Sequence, residues 1–321
     1  MNIYTSDRFV LPLPAGHRFP MAKYRLLHER VQASLPSLGA RLLEAPRADD
    51  TAVLRAHTAD YMAKVRDGTL SAAEQRRIGF PWSPEMAERT RRVSGAMMAA
   101  LGSAIEGCGV GVNLAGGTHH AAAGHGAGYC IFNDSVVAAR HVQALGLARR
   151  VLVIDLDVHQ GDGTASICRD DPSIYTFSIH CARNYPAVKP QGDLDVALPA
   201  GTGDAEYLAV LERNLAYVQA QSRPDAVIYL AGADPFAGDA LGYLELSKEG
   251  LRQRDQMVFD HCRRHSLPVA VSMAGGYAPQ VGDIVDIHYA TIEAAAALAR
   301  DDGWYPPRKP QQVYACTLVD D

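Results

Sequence analysis

A short apolar run that leads into acidic and imidazole side chains constrains the fold of this chain more than any other segment. The four β-forming residues Val151–Ile154 are followed by Asp155, Asp157 and His159, and a glycine-broken loop then holds Asp162. An apolar run this short is typical of a strand buried on both faces. Asp157 and His159 stand two residues apart, so on an extended chain they point to the same side. We therefore predict a metal site at the end of a buried strand; a plain polar turn would explain one aspartate but not three with a histidine.

Strand-like and helix-like segments alternate along most of the chain, and this order predicts an α/β fold. Such alternation implies right-handed crossovers and a mostly parallel sheet buried on both faces. We expect one domain over residues 1–321, because no repeat, low-complexity tract or long linker interrupts the pattern. The predicted strands are Val110–Leu114, Val151–Leu156, Ser173–Ile179, Ala226–Ala231 and Val269–Met273. The predicted helices are Lys23–Ala33, Ala59–Asp67, Pro84–Glu106, Phe132–Leu145, Asp204–Gln221, Ser247–His265 and Ile284–Arg300.

The sequence also predicts two helix caps and one long loop. Asn133 or Asp134 is available to cap one helix, and Asp204 is expected to be the N-cap of another. The stretch Cys181–Gly203 is rich in proline and glycine and is predicted to be a long irregular loop. Loops of this length are either functional or simple surface connections.

The composition argues against several classes of protein. The net charge is −5 and no basic cluster stands out, so we expect neither nucleic acid nor a membrane surface as a partner. The six cysteines show no Cys-x-x-Cys spacing, which argues against cysteine-ligated zinc and a disulfide framework. No signal-peptide pattern and no membrane-spanning apolar stretch is visible, so a cytoplasmic location is expected.

Polar or glycine-rich clusters follow all five predicted strands. In an open parallel sheet, ligands bind at the edge where the strands end. We therefore expect these clusters to meet in one site. They are Gly116–His120, Asp155–His159, His180, Gly232–Pro235 and Ala274–Tyr277.

Three of these side chains form a plausible set of metal ligands. Asp157, His159 and Asp234 supply two carboxylates and one imidazole, and catalytic zinc sites use three protein ligands with one open position. Two ionised aspartates would neutralise a divalent ion. The alternative for Asp234 is a turn or helix cap.

The remaining polar groups are suited to proton transfer and carbonyl activation. His119 and His120 are adjacent and point in different directions, so they are interpreted as acid/base groups, each oriented by a carboxylate. Asp155 and Asp162 are available for this, although one histidine could instead be structural. Tyr277 follows two glycines and could donate to the oxyanion of a tetrahedral intermediate, or could be a packed aromatic.

Taken together, these motifs resemble those of the zinc-dependent histone deacetylase and acetylpolyamine amidohydrolase superfamily. The Asp-Val-His-Gln-Gly run and Arg183–Pro186 are most similar to class IV histone deacetylases and their bacterial relatives. The matching pieces occur in the family's order and are Gly116–His120, Gly128–Asp134, Asp155–Gly163, Gly201–Asp204, Gly232–Asp234 and Gly275–Tyr277.

The resemblance implies an arginase/deacetylase-like three-layer fold with a mostly parallel eight-stranded sheet, and it assigns roles to the polar residues. Zinc would bind Asp157, His159 and Asp234. His120 with Asp162 would act as general base and then acid, while His119 with Asp155 would be an electrostatic partner. Tyr277 would polarise the amide carbonyl.

The resemblance also implies a substrate channel and a second ion. Gly128 and Tyr129 would line the acyl-lysine channel, and we expect His180 to be a further substrate-binding residue. A structural potassium ion would use Asp155, the Ser178 hydroxyl and backbone oxygens that include that of Ile179, together with those of Asp157 and His159.

Two departures from the family pattern concern substrate recognition. The segment Gly79–Pro84 lacks the rim aspartate with which class I enzymes clamp the substrate backbone. Tyr129 stands where many relatives have phenylalanine, which adds a hydroxyl to the channel wall.

The sequence thus predicts a zinc-dependent lysine deacylase that acts on acylated lysine side chains of proteins. Class IV relatives favour long acyl chains, so the acyl group is left open. One alternative is an amidohydrolase of acetylpolyamines or other small acylated amines, although no long dimerising insertion is obvious. A dinuclear manganese ureohydrolase would need further bridging carboxylates near Asp234. A non-catalytic zinc-containing binding protein is the alternative from another class.

Overall fold

The computed structural model describes residues 1–301 and 303–305, and these are built around one eight-stranded sheet. Every strand pair in the sheet is parallel. The strands are β1 (Asn2–Thr5), β2 (Arg41–Glu44), β3 (Val110–Asn113), β4 (Val151–Asp155), β5 (Ile174–Cys181), β6 (Leu194–Leu198), β7 (Ala226–Leu230) and β8 (Val269–Ser272). Their order across the sheet is β2-β1-β3-β8-β7-β4-β5-β6. The expected mostly parallel eight-stranded sheet is confirmed; residues 306–321 of the expected domain lie outside the described part.

Ten helices in this part cover the two faces of the sheet and make three layers. One face packs against α1, α8, α9 and α10, and the other against α2–α7. The helices are α1 (Ala22–Leu38), α2 (Asp50–Leu54), α3 (Ala59–Asp67), α4 (Ala72–Ile78), α5 (Pro84–Glu106), α6 (Asp134–Ala144), α7 (Asp162–Cys168), α8 (Asp204–Ser222), α9 (Lys248–Arg264) and α10 (Val281–Ala299). The helices α5, α9 and α10 follow the sequence prediction closely. None of the helices described is both long and apolar enough to span a membrane.

Strand β4 shows why an uninterrupted apolar run suits this position. Leu152 and Ile154 belong to one hydrophobic core, and Val151 and Val153 belong to the core on the opposite face. Successive side chains of a strand point to opposite faces, and here both faces are covered by helices. The run can therefore end in polar residues only where the strand leaves the sheet, which places Asp155 and the following residues at its edge.

Several local predictions were wrong, and each error has a physical reason. The loop Cys181–Gly203 contains β6, whose strand pattern is obscured by Asp195 within it and by Asp193 just before it, although it pairs in register with β5. Strands β1 and β2 were missed because both are short and β2 is partly exposed at the sheet edge. The N-cap of α8 is Gly203, and Asp204 instead accepts hydrogen bonds from Ser247 across the connection to α9. By contrast, Asn133 caps α6 through the Val136 N–H.

Candidate active site and metal centre

A pocket of about 170 Å³ lies at the edge of the sheet where the parallel strands end. The loops after β3, β4 and β8 contribute most of its walls, as expected for a doubly covered parallel sheet. Tyr185 and Leu241 also line it. Tyr185 is 45% exposed and lies at the mouth, whereas the side chain of Lys23 is 3% exposed and lies at the closed end.

Asp157, His159 and Asp234 meet at this pocket although they come from different strand ends. Their potential ligand atoms all lie within 4.8 Å of one another, and all three residues are buried. The His159 Nδ1 is 3.0 Å from Asp157 Oδ1 and 3.3 Å from Asp234 Oδ2. The structure therefore contains a candidate metal site with the two carboxylates and one imidazole that the sequence indicated.

The surroundings of these ligands suit a cation. The buried Asp234 Oδ2 has no well-oriented hydrogen-bond donor among the described residues. Burial and the charge of Asp157 raise the pKa of Asp234 to about 7, because two adjacent buried carboxylates disfavour each other's charge. A side chain at Gly275 would collide with both carboxylates, so only glycine fits there. Divalent zinc bound by nitrogen and oxygen donors fits this arrangement.

Two histidine–aspartate pairs stand beside the candidate metal site. The Nδ1–H of His119 donates to Asp155 Oδ2 at 2.7 Å, and the Nδ1–H of His120 donates to Asp162 Oδ1 at 2.6 Å. The two imidazole rings are 4.1 Å apart. Because each carboxylate fixes the Nδ1 side of its ring, each Nε2 remains for chemistry in the pocket.

The two histidines differ in protonation because their surroundings differ. Burial alone would lower the pKa of His119, but the charges of Asp155 and Asp157 raise it to about 9. Burial and the neighbouring His119 charge lower the pKa of His120 to about 4. At neutral pH, His120 can accept a proton while His119 carries a positive charge, which is the division of labour expected for adjacent acid/base groups.

A buried carboxylate that the sequence indicated only as a possible cap holds the histidine loop in place. Asp134 accepts hydrogen bonds from the Gly117 N–H (3.0 Å), the Thr118 N–H (2.9 Å) and the Thr118 hydroxyl (2.7 Å). The preceding Gly116 has a φ of 87°, a left-handed conformation that favours glycine. These contacts direct His119 toward the pocket. The sequence signal for this role was the acid, Asp134, at the end of the motif Gly128–Asp134.

Tyr277 lines the pocket beside the candidate metal site. Burial and the charges of Asp234 and Asp157 raise the pKa of its phenol well above the usual value, so the hydroxyl stays protonated as a donor. Its backbone N–H donates to Asp239. The sequence did not predict a role for Asp239. It lies five residues after Asp234, farther along the loop than the bridging carboxylate of a dinuclear site would be expected.

Aromatic side chains form the upper wall of the pocket. Tyr129 has a φ of 67° and its N–H donates to the Ile78 carbonyl at 2.7 Å, which directs the ring inward. Its ring lies 5.2 Å from that of Phe80 and 5.9 Å from that of Tyr277. On the other side, Tyr185 packs edge-on against His120 at 4.8 Å. The rim segment without an acid thus contributes Phe80, which is buried and supports the Tyr129 ring. Gly128 lines the pocket where a side chain would press on His120.

His180 and the proposed potassium residues lie away from this pocket. His180 is fully buried on β5, its Nδ1 is 2.9 Å from the Ser178 hydroxyl, and burial lowers its pKa to about 4. It does not line the pocket, so its position does not support the expected contact with substrate. Asp155 and Ser178 face each other in the β4–β5 register and line a separate cavity of about 10 Å³. Ile179 is the next residue on β5, with its side chain in the core.

Comparison with known proteins identifies the family to which this fold and candidate site belong. The model of the histone deacetylase domain matches residues 17–292. The chain therefore belongs to the histone deacetylase family. The crystal structure of the HDA15 HD domain superposes with a TM-score of 0.77 at 23% identity, covering 92% of this chain and 88% of that one. The fold is thus the arginase/deacetylase-like fold.

Relatives at the sequence level differ in length. An uncharacterised protein of Picosynechococcus sp. (strain ATCC 27264 / PCC 7002 / PR-6) is 43% identical over 294 residues, covering 91% of this chain and 97% of that protein. Histone deacetylase 2 of Arabidopsis thaliana is 35% identical, covering 58% of this chain and 49% of that protein. Histone deacetylase RPD3 of Saccharomyces cerevisiae is 27% identical, covering 82% and 64% respectively. The match thus spans only about half to two thirds of the two named deacetylases.

Proposed function

We propose that the protein is a zinc-dependent amidohydrolase that removes acyl groups from the ε-amine of lysine. Membership of the family supports a deacetylase-type reaction. One observation carries the finer proposal: a single pocket is lined by two residues of the candidate metal site, by both histidines and by Tyr277, and their partner carboxylates lie directly behind them. The reaction needs each of these parts within reach of one amide bond.

Zinc would be held by Asp157, His159 and Asp234, whose buried oxygens and ring nitrogen fit a small divalent cation. When bound, zinc supplies Lewis-acid polarisation of the amide carbonyl and of a water molecule. The two carboxylates are pre-positioned by backbone donors, since the Val158 N–H donates to Asp234 and the Gly275 N–H donates to Asp157. These backbone contacts hold both carboxylates in place.

His120 would move the proton. Its ring is neutral at pH 7 and its Nδ1–H is held by Asp162, so Nε2 can take a proton from the attacking water. As the carbon–nitrogen bond breaks, the same nitrogen returns the proton to the departing amine. His119, charged beside Asp155, would favour the negative charge that develops on the reacting oxygens.

Tyr277 would bind the carbonyl oxygen. Its phenol remains protonated and can donate a hydrogen bond that strengthens as the oxyanion forms, a contribution of ~10²–10³ in rate for one such donor. Gly128 and Tyr129 would border the lysine side chain on its way to the amide. A potassium ion beside Asp155 and Ser178 would stabilise the strand ends that carry the ligands.

The test is hydrolysis of an acyl-lysine peptide by zinc-loaded protein. Tyr277→Phe should lower kcat by ~10²–10³, since it removes only the donor. Tyr217→Phe, at an exposed position of α8, is the matched control and should retain the wild-type kcat. Equal activity of Tyr277→Phe and wild type would contradict the mechanism. Acetylputrescine, assayed in parallel, distinguishes a polyamine amidohydrolase by a higher kcat/KM.

A further inference from the structure

Lys23 places a buried ammonium group at the closed end of the pocket. The residue belongs to the first turn of α1, lines the pocket and is 3% exposed. Neither the metal chemistry nor the proton transfer described above uses it. Because removing an ammonium from water is costly without a partner, its position calls for an explanation.

The contacts of Lys23 within the protein satisfy it only in part. Its Nζ lies 3.4 Å from the Ala274 carbonyl and 3.3 Å from the Gly276 carbonyl, both long for charge-assisted hydrogen bonds. The rings of Phe19, Tyr24 and Tyr277 surround it at 5.5, 5.4 and 5.3 Å. An ammonium has three donors, so at least one is left for a ligand in the pocket.

No acid is paired directly with this charge, and a second cation lies near it. Among the described residues, Lys23 forms no ion pair. The buried guanidinium of Arg89 lies 4.4 Å from the centroid of the Tyr24 ring, which Lys23 also contacts. The negative charge of Asp7 acts on Arg89, but Asp7 is already 3.2 Å from His28. With Asp157 and Asp234 neutralised by a bound divalent ion, the closed end would be a positive, aromatic-walled compartment that suits an anion better than a methyl group.

We propose that Lys23 binds a carboxylate at the far end of the acyl group, so that the enzyme removes short dicarboxylic acyl groups such as succinyl or glutaryl from lysine. This inference rests on the proposed deacylase function. Lys23 Nζ is 5.3 Å from the ring of Tyr277, whose hydroxyl would bind the amide carbonyl. The ammonium and the phenol thus border the same pocket of about 170 Å³, which favours a short acyl chain over a long one.

The reaction is hydrolysis with a spectator carboxylate. Water adds to the amide carbon, the carbon–nitrogen bond breaks, and both water protons end on the amine, which leaves as an ammonium. His120 carries the first of these protons. The acyl group leaves as a dicarboxylate, and its distal carboxylate stays paired with Lys23 throughout.

The experiment compares two lysine peptides with acyl groups of five carbons. Glutaryl ends in a carboxylate and pentanoyl ends in a methyl group. Zinc-loaded wild type should have a higher kcat/KM for glutaryl-lysine. In Lys23→Met the ratio of glutaryl to pentanoyl kcat/KM should fall by about 10- to 100-fold, the range for loss of one hydrogen bond to a charged group.

Two variants and a binding measurement separate this role from a structural one. Lys23→Arg keeps the charge and should retain the glutaryl preference. This variant still tests the role of the charge if Lys23→Met folds poorly. Lys248→Met removes a partly exposed lysine of α9 that is paired with Asp283 and Asp286 away from the pocket, and it should leave the ratio at its wild-type value. By calorimetry, wild type should bind free glutarate more tightly than pentanoate, and Lys23→Met should lose this difference.

The outcomes distinguish the inference from the function on which it rests. Cleavage of pentanoyl-lysine but not of glutaryl-lysine overturns the role of Lys23 and leaves the deacylase proposal intact. An equal loss on both substrates in Lys23→Met also overturns it, because Lys23 then acts on the fold or on any released carboxylate. If neither of these peptides nor an acetyl-lysine peptide is cleaved, the proposed function fails and the inference fails with it.

Discussion

The backbone N–H of Tyr277 donates a 2.6 Å hydrogen bond to Oδ2 of Asp239. The other carboxylate oxygen accepts from the N–H groups of Leu241 (2.8 Å) and Gly242 (3.0 Å). Leu241 is itself a wall of the pocket. One half-buried carboxylate thus ties the loop that carries the phenol to the loop that shapes the substrate channel, and we infer that Asp239 positions Tyr277.

Asp239→Asn should lower kcat by about tenfold or more with a smaller effect on KM. An amide cannot accept hydrogen bonds on both sides, so the Tyr277 loop loses its anchor, and misplacement of a catalytic group by about 1 Å can cost ~10²-fold. Steady-state kinetics on an acyl-lysine peptide measure this. In a Tyr277→Phe background the same substitution should add little, because both changes remove the same interaction. Fully additive losses would show that Asp239 does not act through Tyr277.

Metal content provides an independent prediction. Elemental analysis of the wild type should return one zinc per chain, and two manganese per chain would favour a ureohydrolase. Gly275→Ala should lower zinc occupancy, because the added methyl group meets the carboxylates of Asp157 and Asp234. Gly282→Ala, whose methyl group meets no atom within 4 Å, is the matched control and should bind zinc normally. Chelation should lower the melting temperature of the wild type, since a ligand that binds the native state stabilises it.

The two histidines should differ in their effect on rate. His120→Ala removes the group that accepts the proton and should lower kcat by ~10²–10⁴. His119→Ala removes only a neighbouring charge and should cost less. Single-turnover rates on an acyl-lysine peptide measure both, and His265→Gln, at an exposed position after α9, serves as the control. A larger loss for His119→Ala than for His120→Ala would reverse the assigned roles.

Acid should destabilise the protein in part through His57. Burial lowers the pKa of His57 to about 4, and its neutral Nε2 accepts from the Asn133 N–H at 2.8 Å. Between pH 6.5 and about 4, the unfolded chain binds a proton at His57 that the folded chain does not. The stabilisation is therefore complete above pH 6.5 and is lost as the pH falls toward 4, at about 1.4 kcal/mol per pH unit.

Urea unfolding at a series of pH values measures this effect. In His57→Gln, which keeps a donor and an acceptor, the unfolding free energy should depend less steeply on pH across this interval. An identical slope in wild type and variant would mean that His57 titrates alike in both states. Buried His261, whose pKa burial also lowers to about 4, contributes in the same direction and remains in both proteins.

The cluster of Asp157, His159 and Asp234 could be predicted from the sequence because strand geometry alone relates these residues. Asp157 and His159 stand two apart at a strand end, and parallel pairing brings Asp234 to the same edge. The carboxylates of Asp134 and Asp239 could not be assigned in the same way. Their roles depend on which loop N–H groups face them, and loop conformations have no periodic signal in the sequence.

The edge strands β2 and β6 and the pocket position of Lys23 also could not be predicted from the sequence. Strand β6 is interrupted by Asp195 and β2 is partly exposed, so neither shows the uninterrupted apolar run that predicted β4. The sequence predicts Lys23 only as the first residue of a helix. Folding brings its side chain against the loop at Ala274, more than two hundred residues away, and places the ammonium in the pocket.

The position of β8 in the sheet determines at what stage of synthesis the candidate site can assemble. Strands β1–β3 form one side of the sheet and β4–β7 form the other, and β8, the last strand in the chain, lies between β3 and β7. The two histidines follow β3, the candidate metal ligands follow β4 and β7, and Tyr277 follows β8. During synthesis the proposed catalytic groups therefore cannot all come together until the chain has grown past Tyr277 and the central strand has joined the two halves of the sheet. We expect activity to report completion of this sheet, so an N-terminal fragment that stops before β8 should be inactive.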